Sequence, residues 1–496
     1  MLIDYAFVAG FINKQHYKSN INYILPNFKY SGDSDSYLLQ IKPKKNYTAI
    51  AHKISYFCPT DNYRIMQSLQ QLRNGELKGA ASLKIAEELT EFPREIFDLA
   101  DTLEVLDLSK NKLSELPKDF GCLKKLRILF CSDNLFSVFP EVLADCPLLD
   151  MVGFKANRIE RIPPMALNTN IRWLILTNNR IEELPKEIGN CIRMQKLALA
   201  GNRLTNLPNT LNRCSNLSLL RISANCLSEL PIWLLSMPRL SWLAFSGNPF
   251  CEFRPQACIP NFSWQDLQIK HLLGEGASGF IYQAALDTGE EKKEVAIKVF
   301  KGLVTSDGLP EDEMNTFIAA GEHPGMVKLL GQICEHPEGS SGLVMDLIPD
   351  FFYNLGLPPS LQSCTRDVFK EGSSLTPMQV LKIAGTIASV AKQLHSRGIL
   401  HGDLYAHNTL IDQEGNALFG DFGAASFYNI ADKRFASALE RLEVSAFGHL
   451  LDDLLRLCDH TGIEKLALLR DAATKPDVLS RPDFRELCEE LGKMNI

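Results

Sequence analysis

No stretch of the chain reaches the roughly 18 consecutive apolar residues that a membrane-spanning helix requires. There is no excess of basic charge. The 52 Lys and Arg stand against 59 Asp and Glu, a formal net charge of −7, which argues against nucleic acid or an anionic membrane as the main partner. Residues 1–12 are apolar but have no basic flank and carry Asp4, so they read as a strand or short helix rather than a secretory leader. The cysteines, 13 in all, form no paired framework, which fits a reducing compartment and makes a cytoplasmic location the expectation. What is present is ordinary for a globular chain: 45% hydrophobic and 22% charged over 496 residues, room for two or three domains.

Residues 1–75 are the least patterned part and read as an extension without chemistry of its own. Residues 76–251 contain a repeat. Asn111, Asn134, Asn157, Asn179, Asn202, Asn225 and Asn248 recur at intervals of 22 or 23 residues, each closing L-x-x-L-x-L-x-x-N. Pro117, Pro140, Pro163, Pro185, Pro208 and Pro231 follow six residues after the first six of them. This is the leucine-rich-repeat period, one short strand per coil of a solenoid. Alternating leucines fill each coil. The Asn turns inward and satisfies backbone groups that would otherwise be buried unpaired. Residues 83–93 read as an N-terminal cap. Cys122, Cys146, Cys191 and Cys214 fall at equivalent places and read as small buried core residues, not metal ligands.

The third position of each repeat reads Val105, Ile128, Met151, Trp173, Lys196, Leu219 and Trp242. These should line the concave face as an apolar, aromatic column. Such a column marks a docking surface for a protein, either a separate partner or this chain's own N-terminal arm; a bland concave face is the alternative. Met151, Trp173, Leu219 and Trp242 are the expected contact residues.

After a linker at 252–263 the character changes. Leu273-Gly274-Glu275-Gly276-Ala277-Ser278-Gly279 holds G-x-G-x-x-G and is followed by the strand-type residues Phe280, Ile281 and Tyr282. The apolar run Val295-Ala296-Ile297-Lys298 follows. Two strands joined by a glycine turn make a flap over phosphates, with Lys298 placed to hold them. Downstream, His401-Gly-Asp-Leu-Tyr-Ala-His-Asn408 precedes Asp421-Phe-Gly423. Asp403 can accept a proton, and Asn408 and Asp421 offer hard oxygen ligands to Mg²⁺.

On these motifs, together with His323-Pro324, the hinge-like run 343–347, Ala446-Phe-Gly448 and Arg481-Pro-Asp-Phe484, residues 264–496 resemble a protein kinase domain. The whole chain resembles a soluble leucine-rich-repeat protein kinase of the type found in bacteria. The fold class implied is α/β: a solenoid followed by a bilobal α+β domain. The resemblance implies ATP and Mg²⁺ as cofactors and Asp403 as catalytic base. It implies an ion pair between Lys298 and Glu313, with Glu311 as the other candidate. It places Leu273, the glycine turn 274–279, Ile281, Ala296, Met345 and Leu347 around the nucleotide.

The departures are specific. Gly402 stands where an Arg is usual, Tyr405 where serine/threonine kinases carry a Lys, and Glu443 where an Asp is expected. Glu440 is the expected partner of Arg481. Two functions follow: a kinase acting on Ser or Thr whose solenoid recruits substrate or regulator, or a nucleotide-binding scaffold that signals by conformation.

Overall fold

The computed structural model describes residues 66–251, 259–276, 278–287, 289, 292–301, 304, 305, 307–458 and 464–494. Most of the N-terminal extension, most of the linker and Ala277 lie outside the described residues.

A short helix, α1 (Leu69–Arg73), is closed at its start by a Ser68–Gln71 capping box and leads into the solenoid. Eight three-residue strands then form one parallel sheet: β1 (Ser82–Lys84), β2 (Val105–Asp107), β3 (Ile128–Phe130), β4 (Met151–Gly153), β5 (Trp173–Ile175), β6 (Lys196–Ala198), β7 (Leu219–Arg221) and β8 (Trp242–Ala244). The middle residue of each strand points inward: Leu106, Leu129, Val152, Leu174, Leu197 and Leu220 have no exposed surface.

The asparagine ladder does what the repeat predicts. Asn179 Nδ2 donates to the Phe154 and Leu176 carbonyls, each at 2.9 Å, and its Oδ1 accepts from Ile159 N at 2.9 Å. Each coil thereby satisfies the one before it. After the corner, a proline with φ near −65° opens a short 3₁₀ turn on the convex side, as Pro185 does for Lys186–Asn190. Of the four equivalent cysteines, Cys146, Cys191 and Cys214 are buried, each with its thiol against a carbonyl of the preceding coil. Burial raises the first two to about 12 and the third to about 11. Cys122 is exposed, a correction to the expectation for that position.

The second unit is bilobal. Its first lobe is a six-stranded sheet in the order β10 (Leu267–Glu275), β11 (Gly279–Asp287), β12 (Lys292–Phe300), β14 (Gly342–Asp346), β13 (Leu329–Cys334), β9 (Asn261–Ser263). All pairs are antiparallel except β13 with β9. Helix α2 (Pro310–Ala320) starts on a proline and carries three acids in its first turn, favourable against the helix dipole. The second lobe packs α3 (Pro377–Ser396), α4 (Lys433–Arg456), α5 (Glu464–Ala473) and α6 (Phe484–Gly492) below small sheets made from β15 (Tyr353–Asn354), β16 (Ile399–Leu400), β17 (Thr409–Ile411), β18 (Ala417–Phe419) and β19 (Ser426–Phe427).

The two cores interpenetrate. Leu219 and Trp242 of the solenoid belong to the apolar cluster that holds Leu404, Tyr405 and Phe447. Leu400, Tyr428, Leu439 and Leu442 belong to the solenoid's own cluster. The concave column is therefore covered: Val105, Ile128, Met151, Trp173, Lys196, Leu219 and Trp242 are all between 1 and 9% exposed. This corrects the docking expectation. Met151, Trp173, Leu219 and Trp242 do not face an outside partner; they face the second half of the same chain.

Candidate functional site

The glycine turn joins β10 to β11, with Gly276 N donating to Gly279 O at 2.9 Å. Lys298 sits on β12 between Ile281 and Leu343 in register, which fixes it under that turn. Its ammonium is paired with Glu313 on α2, the residue expected, and both side chains are nearly buried. Burial raises the Glu313 carboxyl above its ordinary range while Lys298 opposes the rise. Phe317, one turn along α2, stacks on Phe422 with centroids 4.8 Å apart, tying the helix to the Asp421-Phe-Gly segment.

The loop 401–408 is held from within. His401 has no exposed surface and packs against Phe419 and Phe422; burial lowers its pKa. Asn408 Nδ2 donates to Asp403 Oδ2 at 2.8 Å and to the Asp403 carbonyl at 2.9 Å, leaving the amide oxygen as the atom able to ligate a cation. Asp421 adopts φ 60° and accepts from Gly423 N at 3.2 Å.

Glu443 on α4 accepts from Gly402 N at 2.6 Å and His401 N at 3.2 Å, and its Oε2 lies 2.8 Å from His395 Nε2. It thus clamps the loop from below. Burial would raise its carboxyl, but His395 and these donors outweigh it and the net direction is down.

Leu273, Ile281, Ala296, Lys298, Glu313, Met345, Leu347, Asn408 and Asp421 line one cavity between the lobes. Its hinge end is apolar and its inner end holds the lysine, the amide and the carboxylate. That division fits a nucleotide: a flat base against aliphatic walls, phosphates and a metal against the polar groups. One carboxylate and one amide oxygen suit Mg²⁺ shared with phosphates, since that ion keeps several non-protein ligands.

One sequence expectation fails here. Arg481 does not pair with Glu440 among the described residues. Its guanidinium donates to the Lys475, Arg441 and Pro238 carbonyls, and Glu440 accepts from Phe484 N at 2.9 Å. The reason is that α4 begins at Lys433, so Glu440 lies inside a helix, where its carboxylate meets the Phe484 amide instead. Within the loop His407 is tied to Asp367: its Nδ1 lies 2.7 Å from Asp367 Oδ1. Burial would lower its pKa, but Asp367 outweighs burial and the net shift is upward.

The solenoid reaches the loop directly. Trp242 stacks on Tyr405 with centroids 4.4 Å apart and planes 4° apart, and its Nε1 donates to Leu404 O at 3.0 Å. Phe245 N and Ser246 N both donate to Ser426 Oγ. Arg221 Nη2 donates to Asp403 Oδ1 at 2.5 Å, Nη1 to Gly402 O at 3.0 Å, and Nε to Asp307 Oδ1 at 2.5 Å. Arg221 lies outside the outward column that begins at Val105. Strand period two gives a second, at Asp107, Phe130, Gly153, Ile175, Ala198, Arg221 and Ala244, and the one cation among them is the available signal.

Residues 267–445 match the family model described as protein tyrosine and serine/threonine kinase, and residues 102–123 match the leucine rich repeat model. Leucine-rich repeats are joined here to a protein kinase domain. Among similar proteins, the L-type lectin-domain containing receptor kinase V.7 of Arabidopsis thaliana is 33% identical over 194 residues, 38% of this chain and 27% of that protein. The angiopoietin-1 receptor of Danio rerio is 27% identical over 175 residues, 33% of this chain and 15% of that one. On the repeat side, leucine-rich repeat and calponin homology domain-containing protein 1 of Mus musculus is 33% identical over 115 residues, 23% of this chain and 16% of that protein. The chain spans well under half the length of these relatives. No helix among its described residues is long and apolar enough to cross a membrane.

Proposed function

We propose that the chain is an ATP- and Mg²⁺-dependent protein kinase that transfers the γ-phosphoryl group to a serine or threonine hydroxyl. The observation that carries this reading is convergence: Lys298, Glu313, Asn408 and Asp421 line one cavity, and Asp403 is hydrogen-bonded to Asn408 at its edge. Leu273, Ile281, Ala296, Met345 and Leu347 would hold the adenine. The turn 274–279 would cover the phosphates and Lys298 would hold them, with Glu313 fixing the lysine. Asn408 and Asp421 would hold Mg²⁺, which supplies charge neutralisation on the phosphates when bound. Asp403 would accept the hydroxyl proton.

We divide the chain at 76–251 and 264–496, and read it as the soluble bacterial type of leucine-rich-repeat kinase, located in the cytoplasm. The free thiols among the described cysteines support a reducing compartment.

Transfer of labelled phosphate from Mg-ATP by the purified full chain tests the proposal. Asp403→Ala and Asp421→Ala should each lower the rate by about 10²-fold or more. ATP binding without transfer that these variants abolish contradicts it. One observation favours a second reading, a nucleotide-binding scaffold: the solenoid lies over the catalytic loop and pairs Arg221 with Asp403.

A further inference from the structure

The catalytic loop has lost two cations, and the solenoid stands at both places. At position 402 the residue is Gly, and the Leu243 carbonyl of the solenoid lies against it. At position 405 the residue is Tyr, and Trp242 covers its ring. Between them comes Arg221, 3% exposed, whose three nitrogens reach Asp307, the Gly402 carbonyl and Asp403. Asp307 belongs to the first lobe, in the loop that leads into α2 and carries Glu313 towards Lys298. That loop is itself braced: Thr305 Oγ1 accepts from Asp307 N and Gly308 N, and a Cβ on Gly308 would lie 2.9 Å from Ser246 Oγ of the solenoid. Asp403 belongs to the second lobe. Arg221 therefore bridges the lobes across the mouth of the site.

We propose that Arg221 is a positioning residue of the phosphotransfer site, a strut from the solenoid that orients Asp403 and keeps the Glu313 helix docked. The inference rests on the kinase reading above. In kinases switched by activation-segment phosphorylation, new arginine–phosphate pairs order the segment and the helix. Here the loop has no Arg at 402, and the solenoid supplies the fixed guanidinium in its place.

Two observations separate a strut from a plug. Asp403 keeps 19% of its side chain exposed although Arg221 and Asn408 each take one oxygen. A carboxylate has about four lone-pair sites, so each oxygen still has one to offer an acceptor hydroxyl. The contact is also built as core: Trp242 is 1% exposed and shares an apolar cluster with the loop. A reversible inhibitor would leave a less continuous interior behind it.

The test is steady-state phosphate transfer by the full chain, with nucleotide-analogue binding recorded for every variant. Arg221→Ala should lower kcat by about 10²-fold while the KM for ATP stays within about threefold, since neither Arg221 nor the three residues it reaches line the nucleotide cavity. Arg221→Lys should recover part of the loss, because a point charge can meet one carboxylate but not both. Should Arg221→Ala fail to bind the analogue, Arg221→Lys and Asp307→Asn decide: each should lower kcat by about tenfold, and unchanged rates in both overturn the proposal. An active wild type with an equally fast or faster Arg221→Ala overturns the strut and leaves the kinase reading standing. A wild type that binds nucleotide but transfers nothing overturns both.

Discussion

The carbonyl oxygen of Leu243 lies 2.5 Å from the point a Cβ on Gly402 would occupy, and Gly402 sits at φ 73°. Only glycine accepts both the left-handed backbone and the approach of a solenoid strand. Gly402→Ala should destabilise the full chain by about 2 kcal/mol or more, and Gly402→Arg by more. Urea denaturation measures this; an alanine variant within about 0.5 kcal/mol of wild type contradicts the packing.

The ladder makes a second prediction. Asn179→Ala removes two buried donors and one acceptor that serve three separate backbone groups. It should cost about 3 kcal/mol, because the groups left behind have no water to turn to. The exposed Asn206→Ala should stay within about 0.5 kcal/mol.

These two positions show what was legible in the sequence. The ladder was readable because a period of 22 or 23 residues repeats one local environment. The convergence of Lys298, Asn408 and Asp421 on one cavity, with Asp403 bonded to Asn408, was readable because each sits in a short motif whose spacing a hairpin or loop fixes. The meaning of Gly402 was not. It depends on Leu243, far away in the chain, and nothing local to the loop announces that neighbour. Arg221 and Asp403 are 182 residues apart, and Arg481 and Pro238 are 243 apart. The apolar concave column announced that something would cover it. Periodicity could not say that the cover was the kinase domain, because complementarity between two surfaces is a three-dimensional property. The Glu440–Arg481 pairing failed for a related reason: the acceptors that hold Arg481, the Lys475, Arg441 and Pro238 carbonyls, are brought to it by tertiary packing.

Lys196 supplies a pH test of that covered face. It lies over the Trp173 ring with its nitrogen 4.5 Å from the centroid, and burial lowers its pKa to about 8. A lysine depressed in the folded state contributes stability above its unfolded pKa, near 10.4, and loses it as pH falls through about 8. Lys196→Met removes this penalty. The variant should therefore be more stable than wild type at pH 7, and the gap should close between about pH 8 and 10. Melting curves across that range check it; a gap that widens with pH contradicts a buried amine.

Glu443 should be needed for both stability and rate. Glu443→Ala leaves His395 and the Gly402 and His401 amides without their acceptor. Removing one partner from such a buried set costs about 3–5 kcal/mol. Phosphate transfer should fall with it while nucleotide binding persists, because the loop and not the cavity loses its support. Stability at wild-type level in this variant contradicts the clamp.

The contact between the solenoid and the loop 401–408 is central, and a double-mutant cycle on Trp242 and Tyr405 tests it most directly. Unfolding free energies of the full chain with Trp242→Ala, Tyr405→Ala and both together give the coupling between the rings. Stacked rings at 4.4 Å and 4° predict a coupling of about 1 kcal/mol or more, so that the double variant is less destabilised than the sum of the singles. Additivity to within about 0.3 kcal/mol would mean that the two rings do not meet, and the solenoid would then not be part of the site.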